Sequence, residues 1–201
     1  MPGTFEPLPG GGASVALDDV EISIIRSLAV QLLELIGPGP AEDEAPADPL
    51  AQLFAEGPSE PPSDPVLKRL FPDAYRDPET PGNPHEAAEQ RAHSAEFRRY
   101  TENDLRAGKR ENALAVIHSL NALTPGEDGP AVLELTTAES RRWLGALNDL
   151  RLAIGARLEI TEEDDTDDFY RLPDEDPRKP MVMAYLWLGG LQETLVSTLM
   201  A

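Results

Sequence analysis

Three groups of side chains in this 201-residue sequence have types and spacings that chemistry could use. The first is Asn148, Asp149 and Arg151, a polar trio in an otherwise apolar run that begins at Trp143. At helical pitch Asn148, Arg151 and Leu152 share one face, while Asp149 turns toward the face of Gly145 and Ala153. A buried guanidinium needs a carboxylate, because removing a charge from water is costly unless it is paired, and Glu96 or Glu193 could serve. The expected outcome is an ion pair between helices. The alternative is a small-molecule pocket lined by Arg151, Tyr185 and Gln192. The second group is the basic run Arg91, Arg98, Arg99, Arg106, Lys109 and Arg110, interleaved with Glu86, Glu89, Glu96, Glu102, Asp104 and Glu111. Glu96 with Arg99 and Glu102 with Arg106 are helix-compatible pairs, worth about 0.2–0.5 kcal/mol each on a surface. That interleaving predicts a solvated, salt-bridged face. Arg98 and Arg99 beside Phe97 and Tyr100 also form an arginine–aromatic set of the kind enriched at protein interfaces. The third group, Glu159–Asp168, is rich in the hard oxygen ligands that Ca²⁺ takes, but it lacks the central glycine and closing glutamate of an EF-hand loop. It is expected to be a solvated loop.

Other chemistry is missing. The chain has no cysteine, which removes disulfides, thiolate metal sites and a thiol nucleophile or redox switch. His85, His93 and His118 do not have the i, i+4 spacing of a helical metal site, and no HExxH occurs. The GPGP and GGG runs lack the lysine and the strand–loop–helix setting of a phosphate loop, and neither GxSxG nor SxxK is present. Carboxylates are too numerous for any two to be singled out as an acid–base pair. A non-enzymatic protein without metal or cofactor is expected. The formal net charge of −20 disfavours autonomous nucleic-acid binding, since the field of the molecule repels a polyanion.

Positioning falls to helices. Of 20 prolines, twelve lie between Pro38 and Pro84, and none lies in Arg91–Leu123, Val132–Tyr170 or Met181–Ala201. Proline removes an amide donor and clashes with the preceding turn, so long helices belong in the proline-free stretches. Helices are predicted over 19–36, 84–108, 110–123, 137–158 and 180 to the end, with short turns at 49–54 and 65–71. Asn83 is the expected start of the 84–108 helix, and Gly108 either kinks it or separates it from the next. Leu114, Ile117 and Leu120–Ala122 are the expected core side of the 110–123 segment. Asp18 with Glu21, and Thr136 with Glu139, have the spacing of capping boxes. Downstream of each, the apolar positions stay in step: Ile25 with Trp143, Ala29 with Leu147, Leu32 with Leu150, Ile36 with Ile154. This correspondence predicts two strand–helix units whose strands, near 14–17 and 132–135, pair with each other. The predicted fold is a mainly α, single-domain bundle of about five helices over 14–201 with a minor two-stranded β element. Residues 1–13 are expected to form a flexible arm, and irregular acidic or proline-rich loops are expected near 37–83 and 159–179. The amino terminus lacks the pattern of a secretory leader. The run from Met181 to Ala201 carries one charge, Glu193, but Gln192, Glu193 and Thr194 interrupt it, so a buried helix in a cytoplasmic protein is expected, not a membrane anchor. Trp187 and Leu191 near Gly189-Gly190 could alternatively form a homodimer seam.

Four ordered motifs carry a family resemblance: DPVLKRLFPDAYR (64–76, containing Tyr75), EFRRYTENDLR (96–106), WLGALNDLRLAIGARL (143–158) and YLWLGGLQETLV (185–196). Together they resemble the actinobacterial family of AosR-type oxidative-stress transcriptional regulators, long catalogued as a domain of unknown function and frequently encoded beside the ClpS protease adaptor. The resemblance covers about residues 14–200. It implies a cytoplasmic regulator that contacts the transcription machinery, through a sigma factor or RNA polymerase. The genomic neighbourhood implies the alternative of an accessory to Clp proteolysis. Redox sensing in such a regulator would ordinarily use a cysteine pair. Here a direct response to oxidants would fall to methionine, with Met181, Met183 and Met200 available.

Overall fold

The computed structural model describes residues 3–38, 56–75, 84–123, 129–161 and 166–200. In chain order the elements are β1 (Glu6–Pro7), β2 (Ala13–Leu17), α1 (Asp19–Ile36), α2 (Pro65–Leu70), α3 (Pro84–Ala122), β3 (Ala131–Leu135), α4 (Thr137–Arg157), α5 (Thr166–Tyr170) and α6 (Lys179–Met200). The protein is mainly α, with a small antiparallel sheet in the order β1-β2-β3. The turn expected at 49–54 and the cap expected at Asn83 lie outside the described residues.

Both capping boxes form. The Asp18 carboxylate accepts from the Glu21 amide at 2.8 Å while Glu21 accepts from the Asp18 amide at 3.0 Å. Thr136 and Glu139 make the same reciprocal pair, with the Thr136 amide donating to Glu139 at 2.8 Å. Each box satisfies amides that a helix start leaves without partners. β2 and β3 pair antiparallel as expected, with Val15 opposite Leu133 and Ala13 opposite Leu135. The eight matched apolar positions of α1 and α4 are all buried. Val15 both corresponds to and pairs with Leu133, so the strand pair has the residue correspondence of a local two-fold.

Four expectations about the frame are corrected. Residues 3–12, expected to be a loose arm, are anchored at Phe5 and Gly12, which are buried, while most of the others are exposed. Phe5 is 5% exposed and meets Trp143 edge-on at 6.0 Å, and its amide donates to the Thr194 hydroxyl at 3.1 Å. β1 therefore makes the sheet three-stranded. The Gly10–Gly12 run is its hairpin: all three have φ near +97° (99°, 98° and 96°), a region that side chains disfavour. A Cβ on Gly12 would also strike the Leu135 carbonyl oxygen at 2.2 Å. Second, α3 runs unbroken through Gly108, so the two predicted helices are one. Flanking cations anchor it to other elements. Arg106 donates to the Ile36 carbonyl at 2.7 Å, Arg110 to the Gly37 carbonyl, and Lys109 to Asp149. These contacts outweigh the roughly 1 kcal/mol that a helical glycine costs. They also place positive charge at the end of α1, which has no basic residue in its own last turn. Third, Ala113, Val116 and Leu120 form the buried side of α3, and Leu114 is exposed. Fourth, α4, not α6, is the central helix: α1, α2, α3 and α6 all pack against it. α6 buries a single stripe, Val182, Leu188, Leu191 and Leu195. In addition, α5 forms inside the acidic segment expected to be a loop.

Candidate functional site

The arginine-rich part of α3 is an internal charge cluster. Arg98 is 5% exposed and Glu102 2%. Arg98 donates to Asp73 at 2.9 Å, to the Phe71 carbonyl at 3.0 Å and to Glu102, while Arg106 forks onto the other Glu102 oxygen at 2.8 and 2.9 Å. Burial alone would lower the Arg98 pKa. The hydrogen bonds to Asp73 and Glu102 outweigh it, so the guanidinium is held above its ordinary value. The expected pairing of Glu102 with Arg106 is present, but it is buried, not a weak surface pair. The expected interface pair separates: Arg98 is consumed inside, and Arg99 lies at the surface with Glu56 at 3.2 Å and the Tyr100 ring at 5.2 Å. Adjacent residues on a helix point about 100° apart. Tyr75 docks against α3, its amide donating to Ser94 at 3.2 Å and its ring edge-on to His93 and Phe97. His85, His93 and His118 are exposed, and Glu96 is exposed.

The trio on α4 also divides. Asp149 is 2% exposed and pairs with Lys109 at 2.6 Å, a partner that sequence reasoning missed. Burial raises its carboxyl pKa, with Lys109 and then Asn148 acting against that rise. Arg151 is half-buried and meets neither Glu96 nor Glu193. It donates to Gln192 at 2.7 Å and, at the outer limit of a hydrogen bond, to the Tyr185 hydroxyl at 3.5 Å. Its guanidinium lies 5.0 Å from the centre of the Tyr185 ring, and Nε is buried without a partner. Glu193 sits one position from Gln192 and points to solvent. Asn148, Arg151, Gly155 and Tyr185 line a cleft of about 420 Å³ with Leu152, Ala156, Ile160, Thr161 and Arg69. Arg69, from α2, was also missed, since no sequence signal places it near α4. Gly189 lies against Arg151, where a Cβ would sit 3.4 Å from Nε. Leu191, expected in a homodimer seam, is buried in the core.

A second concavity runs between α1 and α6 over α4. Ile24, Leu28, Leu32, Leu35, Ala153, Ile154, Pro180, Met181 and Ala184 line about 340 Å³ of it, and Glu21, Met183 and Trp187 extend it past Ile24. Met181 and Met183 remain 38% and 45% exposed, and the buried indole nitrogen of Trp187 has no partner. This trough exists because α6, apolar on more than one side, buries only one of them. Among the described residues no group of histidine and carboxylate side chains could hold a metal ion, and no helix is long and apolar enough to cross a membrane.

The class defined here is a mainly helical protein, paired through two capped strand–helix units, and residues 3–199 match the family described as domain of unknown function (DUF2017), to which the chain belongs. Among its relatives, the oxidative stress regulator AosR of Mycobacterium tuberculosis (strain ATCC 25618 / H37Rv) is 31% identical over 183 residues, 90% of this chain and 78% of the relative. AosR of Mycobacterium bovis has the same identity and coverage. A relative from Mycobacterium leprae is 35% identical over 185 residues, 90% of this chain and 79% of its own length. The names of these relatives support a regulatory role. No solved structure matches the chain.

Proposed function

We propose that this protein is a non-enzymatic cytoplasmic regulator that works by protein contact, taking an amphipathic helix of the transcription machinery, from a sigma factor or RNA polymerase, into the α1–α6 trough. The observation that carries this reading is the trough itself. It is lined by α1, α4 and α6 and is mainly apolar, with Gln31, Arg157 and Glu21 among its edges and Ile24, Met181 and Met183 partly bare. Helix-in-groove recognition needs such a channel, and flexible methionines suit it because their unbranched thioethers adapt to the partner. The formal charge of −20 steers toward a partner with basic flanks and away from nucleic acid. Met181 and Met183 are also the oxidisable atoms closest to the docking surface, and a sulfoxide there would place a polar group in the channel. The names of the AosR relatives fit a regulator of this kind.

The test is affinity capture from the native host at moderate salt, with wild-type protein and with Ile24→Glu. A sigma factor or polymerase subunit should be recovered with wild type and lost with the variant, whose melting temperature should be unchanged. Reproducible capture of no transcription component would overturn the reading. Recovery of Clp components in their place would favour the accessory role in proteolysis.

A further inference from the structure

We infer that the cleft between α2, α4 and α6 binds a small organic carboxylate through Arg151, with the apolar part of the ligand lying on Leu152, Ala156 and Ile160.

The argument starts from how this chain treats its other inward-facing cations. Acidic side chains outnumber basic ones by 37 to 17, and Arg98, Arg106 and Lys109 each find a carboxylate. Arg110 is met instead by the Leu33 and Gly37 backbone carbonyls. Among the described residues Arg151 has neither a carboxylate nor a backbone carbonyl, and its acceptors are a neutral amide and a phenol at the limit of reach. Among the described residues no ion pair joins either Arg151 or Arg69 to a carboxylate. Two guanidinium groups that pair with no carboxylate among the described residues therefore line one cleft of a strongly acidic molecule.

The shape narrows the ligand class. At about 420 Å³ the cleft falls within the range of small-molecule sites. Its walls are divided about equally between polar and apolar groups. A planar guanidinium matches a carboxylate with two parallel hydrogen bonds, and the centre of the Tyr185 ring lies 5.0 Å from that of Arg151. Gly155 lines the wall beside Tyr185. Leu152, Ala156 and Ile160 have no use for a bare inorganic ion, so an amphiphilic monoanion fits better than phosphate. The cleft shares no lining residue with the α1–α6 trough, and the inference does not rest on the docking proposal.

Titration followed by heteronuclear NMR, with three probes, tests it: 4-phenylbutyrate, its neutral amide, and inorganic phosphate. The carboxylate should bind saturably and shift the resonances of Gly155, Tyr185 and the Arg151 side chain. The amide should bind at least tenfold more weakly, and phosphate should not saturate. Arg151→Gln should weaken carboxylate binding about tenfold and Arg69→Gln about threefold. Because Arg69 is exposed, its variant tests the electrostatics even if Arg151→Gln folds poorly. Equal binding of amide and carboxylate, tighter binding of phosphate, undiminished binding in the Arg69→Gln variant, or no saturable shift would each overturn the inference.

Discussion

Arg98 and Arg151 both sit between helices, yet their surroundings differ in kind. Arg98 is enclosed by Asp73, Glu102 and the Phe71 carbonyl, and Glu102 is shared with Arg106. Arg151 has Gln192, a distant Tyr185 hydroxyl and an open cleft. A cation paired with carboxylates fixes the frame, because removing one of those partners leaves buried charge poorly compensated in a poor solvent. A cation met only by neutral groups contributes little to folding and retains capacity to bind something else. The contrast separates the part of the molecule that holds α3 in place from the part that is free to recognise a ligand.

The largest effect should come from Glu102→Ala, which removes the carboxylate shared by Arg98 and Arg106 and leaves Arg98 with Asp73 as its one carboxylate among the described residues. Urea denaturation should show a loss of about 3–5 kcal/mol, the cost of breaking a buried pair. Arg151→Met should stay within about 1 kcal/mol of wild type, since no carboxylate is orphaned. Equal losses would erase the distinction. Next, Lys109→Met leaves Asp149 buried without its cation and should cost about 2–3 kcal/mol near neutral pH. The Asp149 carboxyl already has a raised pKa in the folded state through burial, so the native form holds a proton more readily than the unfolded chain. Its contribution to stability therefore declines as pH climbs from the unfolded pKa to the folded one. Losing Lys109 widens that window. The penalty should shrink as the solution is acidified toward the ordinary aspartate value of about 3.9, which paired denaturation curves would reveal.

Smaller effects belong to the helix starts. Thr136→Ala and Asp18→Ala should each lower stability by about 1 kcal/mol. Similar losses would support the equivalence of the two units, and a several-fold disparity would break it. Hydrogen bonds from Thr136, first its hydroxyl and then its amide, hold the Glu139 pKa below its ordinary value. That contribution is present above the unfolded glutamate pKa and vanishes as pH falls through the folded one. Glu139→Gln should flatten this part of the acid limb. The smallest effect is expected at Arg99, whose contacts with Glu56 and Tyr100 lie in water. Arg99→Gln should leave the melting temperature unchanged, at low salt and at high.

What the sequence makes legible follows from interaction range. The capping boxes and the in-step apolar positions of α1 and α4 act over three or four residues, so they can be read directly. The β2–β3 pairing follows because those units repeat. β1 escapes notice because two residues have no period, and Pro7 with three glycines resembles slack chain. The continuity of α3 through Gly108 is supported by carbonyls at the end of α1 and its cap, 70 and 73 positions away. The fates of Arg98 and Arg99 diverge for a similar reason: Asp73 and Phe71 arrive from the segment after α2. Of the residues grouped from the sequence, Arg151 and Tyr185 line the cleft with Asn148, while Gln192 accepts from Arg151 without being part of the lining. Their neutral pairing could not be foreseen, because Gln192 and Glu193 differ by only one helical step.

The register of Val15 with Leu133 bears on how the chain matures. The partners Val15 and Leu133 lie 118 positions apart, and Phe5 and Thr194 lie 189 apart. While a ribosome has delivered only the first hundred residues, β2 has an edge that β3 has not yet covered. Closure over such a span is slow relative to local coiling. The nascent polypeptide is therefore most exposed to mispairing in the interval before β3 emerges, and a chaperone that shields the N-terminal hairpin during that interval would raise the yield of native molecules.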